Sequence, residues 1–304
     1  MISKLLRHLS AGTLPAVSKS WLHSQFNAAR WACVGYTIFP LETSGSLKLY
    51  RDSRLSSLIR YGDFERDERA FAQRFLKPGD AFVDVGANIG LYSILAAEFV
   101  GNQGRVISFE PSRRTYLRLL ENVRRNRLQN VDSVNAALSD VSGTTRLYAG
   151  GPEMDAWNSL SQSANGPPEA EEISTTTWDE YSAQHALDDR VTLMKIDVEG
   201  WETAVLRGAR RALGGQNAPI LQVEFCEANA RAAGSSCSEL EGAILELGYE
   251  LYEYRAAGNS LSVVSREHRN ADCNLYAVKN LDFVLSRIGC QSASANKSLG
   301  FSRT

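Results

Sequence analysis

The strongest constraint on this 304-residue chain is the run Phe82-Val83-Asp84-Val85-Gly86-Ala87-Asn88-Ile89-Gly90. A second apolar run follows it, Val106-Ile107-Ser108-Phe109-Glu110, and ends in an acid. The first run reads as a buried strand over 81–85, a glycine turn, and a helix from about Ile89. Glycine is needed where backbone takes positive φ or comes close to a ligand. The helix that opens there points its free N–H groups at the same spot. Glu110, ending the second strand, offers a carboxylate to a ribose diol, as adenosine-binding α/β domains do. Together the two runs predict a grip on an adenosine-containing cofactor.

The flanking chain predicts the scaffold. Residues 47–50 and 55–59 are expected as two short strands joined by a turn at Arg51-Asp52-Ser53. Asp63 then precedes a helix with Phe64, Phe71, Phe75 and Leu76 on one face, stopped by Lys77-Pro78-Gly79. Further on, helices are expected over 113–127, 202–213 and 238–247, and strands over 131–138, 144–148, 190–196 and 219–225. Residues 249–254 and 274–278 form a closing antiparallel pair. The stretch 150–172, with Gly151-Pro152 and Gly166-Pro167-Pro168, reads as a polar excursion of the length of a substrate lid. This alternation predicts an α/β fold: a mostly parallel sheet with helices on both faces and a C-terminal antiparallel strand pair.

Composition narrows the class. Hydrophobic content of 43% and charged content of 22% are those of an ordinary soluble globular protein. Five widely spaced cysteines without a C-x-x-C pair argue against a disulfide framework or zinc cluster, and for a reducing, cytoplasmic setting. The four histidines are scattered, and His185 lies on a stretch read as a solvent-facing helix, so no metal helix is expected. No apolar run is long enough to span a membrane. Residues 1–60 carry eight Lys or Arg against two acids, which leaves an acidic body and argues against a nucleic-acid partner. Residues 1–35 hold no acid and place Ile2, Leu5, Leu6 and Leu9 at helical spacing. They read as an accessory segment, with weak contact to a membrane surface or a targeting role as the alternatives. The expected division is a basic accessory segment over 1–45, one domain over 46–280, and a disordered polar tail over 281–304.

Three details separate the adenosine cofactors. Asn88 stands where a dinucleotide fingerprint has its middle glycine, which weakens an NAD(P) or FAD reading. Asp84, two residues before Gly86, suits a cation better than a pyrophosphate, and the ammonium and sulfonium of S-adenosylmethionine are such cations. Met194-Lys195-Ile196-Asp197-Val198-Glu199-Gly200 puts two carboxylates at the carboxyl end of a further strand, the edge where open α/β sheets bind ligands. Taken with Phe109-Glu110-Pro111 and Asn135-Ala136-Ala137-Leu138-Ser139-Asp140, these runs resemble the FkbM family of S-adenosylmethionine-dependent methyltransferases over about residues 45–280.

The resemblance implies a class I, Rossmann-like methyltransferase that transfers a methyl group to a hydroxyl of a sugar, glycolipid, polysaccharide or secondary metabolite. It implies that Asp84, Gly86, Ala87, Asn88 and Gly90 wrap the methionine part of the cofactor, that Glu110 takes the ribose hydroxyls, and that Asn135 to Ala137 border the adenine. Without clustered histidines a carboxylate is the expected base: Asp197 first, with Glu199 and Glu224 as alternatives. No metal is assigned, because Asp197 and Glu224 lack a third protein ligand. Asn158 and Ser159 in the lid and Trp201 are substrate-side candidates, and Trp157, Trp178 and Trp201 are candidates for an apolar wall. Trp178 and Trp201 depart from the family's usual residues. The competing readings are an NAD(P)-dependent oxidoreductase on a similar sheet and a non-catalytic cofactor-binding scaffold.

Overall fold

The computed structural model describes residues 30–62, 64–149, 169–187, 190–264 and 272–290. A π-helical turn at Arg30–Val34 leads into β1 (Tyr36–Pro40), which pairs antiparallel with β2 (Ser46–Tyr50). Helices α1 (Arg54–Tyr61) and α2 (Arg66–Phe75) follow. Next come β3 (Ala81–Val85), α3 (Leu91–Val100), β4 (Arg105–Phe109), α4 (Arg113–Arg125) and β5 (Val131–Val134). Strands β6 (Ala137–Leu138), β7 (Gly143–Ala149) and β8 (Glu169–Thr176) make a small separate sheet. After it stand α5 (Trp178–Gln184), β9 (Val191–Ile196), α6 (Glu202–Gly208) and α7 (Arg210–Gly214). The remaining described elements are β10 (Ile220–Phe225), α8 (Glu227–Ala232), α9 (Cys237–Glu246), β11 (Glu250–Arg255), β12 (Ser260–Val263), β13 (Cys273–Val278) and α10 (Leu281–Ile288).

The main sheet runs β12-β11-β13-β10-β9-β3-β4-β5. Strands β5, β4, β3, β9 and β10 are parallel, and β13 is inserted antiparallel between β10 and β11. The expected mostly parallel sheet with its C-terminal antiparallel pair is present. Strand order reverses between β3 and β9, and ligands of open α/β sheets bind in the crevice at such a point. Alternate residues of β3 serve two cores. Phe82 packs with Phe71, Phe75 and Ile94 on one face, while Val83 and Val85 pack with Met194, Val205 and Ile244 on the other. Asp84 shares its face with Phe82, two residues away along the strand.

Five expectations need correction. Residues 55–59 are helical, within α1, and β2 pairs with β1 instead. Leu55, Leu58 and Ile59 have i, i+3, i+4 spacing, and Ser53 caps the helix by accepting the Ser56 N–H at 3.0 Å. A boundary at residue 45 therefore cuts a hairpin. The tail expected from residue 281 begins with α10. Its N-cap is Asn280, Val284 and Ile288 are buried, and Arg287 bridges to Asp80 and donates to the Phe75 carbonyl at 2.9 Å. Strand 131–138 breaks into β5 and β6, which belong to different sheets, and the strand expected over 144–148 joins the small sheet as β7. Residues 169–172, expected within the lid, are the start of β8. The rest of that lid and residues 1–29, with their membrane-contact reading, lie outside the described residues. Among the described residues no helix is long and apolar enough to cross a membrane.

The hairpin is fastened to the main domain by two asparagines one helical turn apart on α4. Asn122 and Asn126 accept the N–H groups of Lys48 and Ser46 at 2.7 and 2.8 Å. Their amide nitrogens return to the carbonyls of the same two residues, so α4 meets the strand edge as a neighbouring strand would. Asn122 also donates to the Ile89 carbonyl at 2.9 Å, which ties the hairpin to the glycine turn.

Candidate active site

The turn after β3 is held from three sides. Gly86 has φ +85°, and a Cβ on it would lie 1.9 Å from the Asp197 carbonyl oxygen, so the loops after β3 and β9 touch where only glycine fits. The N–H groups of Gly86 and Ala87 both donate to the Phe109 carbonyl, at 3.0 and 2.9 Å. Asn88, left-handed at φ 48°, donates its N–H to Glu110 Oε2 at 3.0 Å. Glu110 Oε1 accepts the Ser112 N–H at 3.0 Å. A backbone donor on each oxygen fixes the carboxylate in place. Asn135 donates to the Glu110 and Pro111 carbonyls at 2.9 and 2.8 Å, so it braces the strand end. Ala136, Ala137 and Leu138 line the cavity there.

Sheet register aligns Asp84 with Lys195, Lys195 with Gln222, and Gln222 with Tyr276. A buried polar row thus crosses four central strands. Asp84 Oδ2 accepts from Ser93 Oγ at 2.6 Å, while Oδ1 is buried with no protein partner. Burial raises the Asp84 pKa against the pull of Lys195. Lys195 Nζ donates to Asp197 Oδ2 at 2.5 Å and stands 4.8 Å from the Tyr92 ring centroid. Burial by itself would strip the Lys195 proton, but Asp197, Glu65 and Asp84 outweigh it and hold the ammonium charged.

Beyond that row the carboxylates gather. Asp197, Glu199 and Glu224 bring carboxylate oxygens within 4.8 Å of one another. Glu199 sits at φ 54°, and its Oε2 accepts from Asn229 Nδ2 at 2.5 Å. Burial pushes the Glu199 and Glu224 carboxyls well up, and repulsion by neighbouring acids adds to it. All three were expected as candidate bases, but only Asp197 and Glu224 were considered together for a metal. The left-handed backbone at Glu199 supplies a third, giving an all-oxygen set of the kind a hard divalent cation takes. Lys195 and Asn229 already engage two of the three. Because the strands run β10-β9-β3-β4, Glu110 and Glu224 flank opposite ends of one cavity, with Gly86 and Asp197 between them.

The family model described as the Methyltransferase FkbM domain matches residues 84–251, more than half of the chain. The chain belongs to the FkbM methyltransferase family. Its cofactor is S-adenosylmethionine, and the NAD(P)-dependent oxidoreductase reading is set aside. A search of curated proteins found no match. Among solved structures the chain is similar to a SAM-dependent O-methyltransferase from Thermotoga maritima, at 15% identity and TM-score 0.41, over 80% of this chain and 77% of that one. It is also similar to a precorrin-6y C5,15-methyltransferase from Geobacter metallireducens, at 13% identity and TM-score 0.41, over 71% and 88%. A third is fibrillarin from Aeropyrum pernix in complex with S-adenosyl-L-methionine, at 15% identity and TM-score 0.38, over 80% and 94%.

Within this FkbM domain the tryptophans divide. Trp201 lines the cavity and donates Nε1–H to Ser139 Oγ at 3.0 Å, whereas Trp178 is 2% exposed and packs edge-on against Phe109. Trp178 therefore belongs to the core and not to an acceptor wall. His185 is exposed and stacks on Tyr181. Asn158, Ser159 and Trp157 lie outside the described residues.

Three cavity-shaping residues were missed from sequence: Glu65, Tyr92 and Glu202. Only Glu202 had a local signal, an acid in the first turn of a helix behind a glycine. Its Oε1 accepts the N–H groups of Val198 and Gly200 at 3.0 and 3.1 Å and so shapes the loop that presents Asp197 and Glu199. Burial lifts its pKa from 4.5 to about 7. The folded state therefore keeps the proton longer than the unfolded one, and stability falls as pH rises between those two values. Glu202→Gln keeps an acceptor without an ionisation. In differential scanning fluorimetry the ligand-free variant should lose less Tm than wild type between about pH 5 and pH 8. Equal slopes would deny Glu202 that role.

Proposed function

We propose that the protein methylates a hydroxyl oxygen of a small-molecule or glycan acceptor, with Asp197 as the base. The observation that carries this reading is the carboxylate cluster of Asp197, Glu199 and Glu224, set against the glycine turn through the contact of Gly86 with the Asp197 carbonyl. The residues also fit the cofactor: the unpartnered Asp84 Oδ1 suits its ammonium, and the carboxylate of Glu110, fixed by two backbone N–H groups at the end of β4, suits its ribose hydroxyls. Ala136, Ala137 and Leu138 offer an apolar border for adenine.

S-adenosylmethionine supplies a sulfonium methyl group; as an acceptor oxygen bonds to the methyl carbon, the C–S bond breaks and its electron pair stays on sulfur. The acceptor's O–H proton goes to the Asp197 carboxylate, which Lys195 holds in place. Glu199 and Glu224, lifted far above the carboxylate range, hold protons near neutrality and serve as hydrogen-bond donors.

The test is incubation with S-adenosylmethionine labelled with ¹³C at its methyl group and a panel of hydroxylated acceptors. An O-methyl product in the NMR spectrum supports the reading, and label found only on nitrogen or carbon overturns it. Glu110→Gln replaces one anchored oxygen with an amide NH2, a donor that faces a backbone N–H. It should weaken S-adenosylhomocysteine binding about tenfold or more in calorimetry, the scale of a lost hydrogen bond to a charged group. Unchanged affinity would remove Glu110 from the ribose site.

A further inference from the structure

Glu65 reaches the cavity from outside the residues that the family model matches. It precedes α2 with φ 48° and ψ 48°, left-handed, and makes no side-chain cap to the helix it starts. Its Oε1 has only a long 3.3 Å bond from Asn274 Nδ2. Its Oε2 is closed off from solvent and takes no well-formed hydrogen bond, with the Tyr92 hydroxyl as its neighbour. A buried acceptor left without a good donor is destabilising, and a left-handed residue with a Cβ adds to that. Such a group is kept where a ligand completes it. The surroundings are of the same kind: the hydroxyls of Tyr92 and Tyr276 and both amide atoms of Gln222 are buried without partners. The same segment brings Leu55, Leu58 and Phe64 to the cavity, an apolar wall beside the polar group. The hairpin strand β2, which precedes this segment, is anchored through Asn122 and Asn126.

We propose that Glu65 is an acceptor-binding residue: its carboxyl takes a hydrogen bond from a second hydroxyl of the acceptor, beside the one that is methylated, and so selects uncharged polyhydroxylated acceptors. The proposal rests on the O-methylation reading above. Burial lifts the Glu65 pKa to about 7, against the pull of Lys195, so near neutrality the group can also donate.

The experiment uses the full chain loaded with S-adenosylhomocysteine and four probes, the methyl glycosides of glucose, mannose, fucose and rhamnose. Binding is followed by saturation-transfer NMR titration, and turnover by S-adenosylhomocysteine release from S-adenosylmethionine. At least one glycoside should bind wild type, Glu65→Ala should weaken it about tenfold or more, and Glu65→Gln by less. S-adenosylhomocysteine affinity should stay within about twofold in both variants. If Glu65→Ala does not fold, the isosteric Glu65→Gln decides alone. The proposal falls if the variants bind the glycoside as wild type does, if cofactor affinity drops in parallel, or if wild type binds none of the four. Glycoside binding that is lost in Glu65→Ala, with no turnover in wild type, would keep Glu65 as a hydroxyl-binding residue but remove the methylated hydroxyl beside it, so the O-methylation reading would fall and only the binding role would remain.

Discussion

Gly86→Ala should abolish S-adenosylmethionine binding and destabilise the fold by about 3–5 kcal/mol, by adding a left-handed penalty to an overpacking penalty. The added Cβ would lie 1.9 Å from the Asp197 carbonyl oxygen, a backbone atom that moves only if the loop after β9 moves with it. That loop carries Asp197 and Glu199, and its retreat would also pull the Gly86 and Ala87 N–H groups from the Phe109 carbonyl. Gly79 provides the control. Its φ of +91° is nearly the same, but a Cβ there meets nothing within 4 Å. Gly79→Ala should therefore show only the backbone strain, about 1 kcal/mol, with S-adenosylhomocysteine affinity unchanged. Calorimetry and thermal melts on both variants separate the two effects. Equal losses would mean that the contact between the β3 and β9 loops contributes nothing of its own.

Asp197→Asn should lower kcat by about 10²–10⁴, the range for loss of a general base, while S-adenosylhomocysteine affinity stays within about threefold. Asparagine keeps an oxygen for Lys195 Nζ, so the buried ammonium retains a hydrogen-bond partner, and the loop keeps its Asp197 N–H bond to the Val85 carbonyl at 3.1 Å. What disappears is the carboxylate that takes the acceptor's proton. Single-turnover methyl transfer with saturating acceptor isolates that step from binding. Glu224→Gln run in parallel tests the assignment. A near-wild-type rate for Asp197→Asn together with a large loss for Glu224→Gln would move the base to β10.

The glycine turn was legible because its determinants are local. Positive φ at Gly86 and Gly90, the apolar strand before them and the acid ending the next strand all lie within about thirty residues of sequence. Helix α1 was misread because Leu55, Leu58 and Ile59 span a five-residue segment, too short for periods 2 and 3.6 to be told apart. Strand β7 was expected but assigned no sheet, since its partner β8 begins inside a stretch that reads as loop. Asn135 was placed against adenine, but its amide is committed to two carbonyls of the neighbouring strand end, which adjacency in sequence does not reveal.

The sequence alone determined that a strand, a glycine turn and a helix would form at residues 81–100, that acids would end the strands on either side, and that the sheet would be mostly parallel. Each of these follows from short-range preferences: the φ freedom of glycine, the period of apolar residues, and the stop signals between them. Tertiary structure decided which of those acids meet. Glu199 completes the cluster because a left-handed backbone and Asn229 turn it inward, and Lys195 stays charged because three carboxylates from different elements surround it. Glu65 and Asn274 are paired across 209 positions of sequence. Strand order and helix packing set those meetings, and they depend on free-energy differences spread over the whole sheet and its two cores, which no window of residues contains.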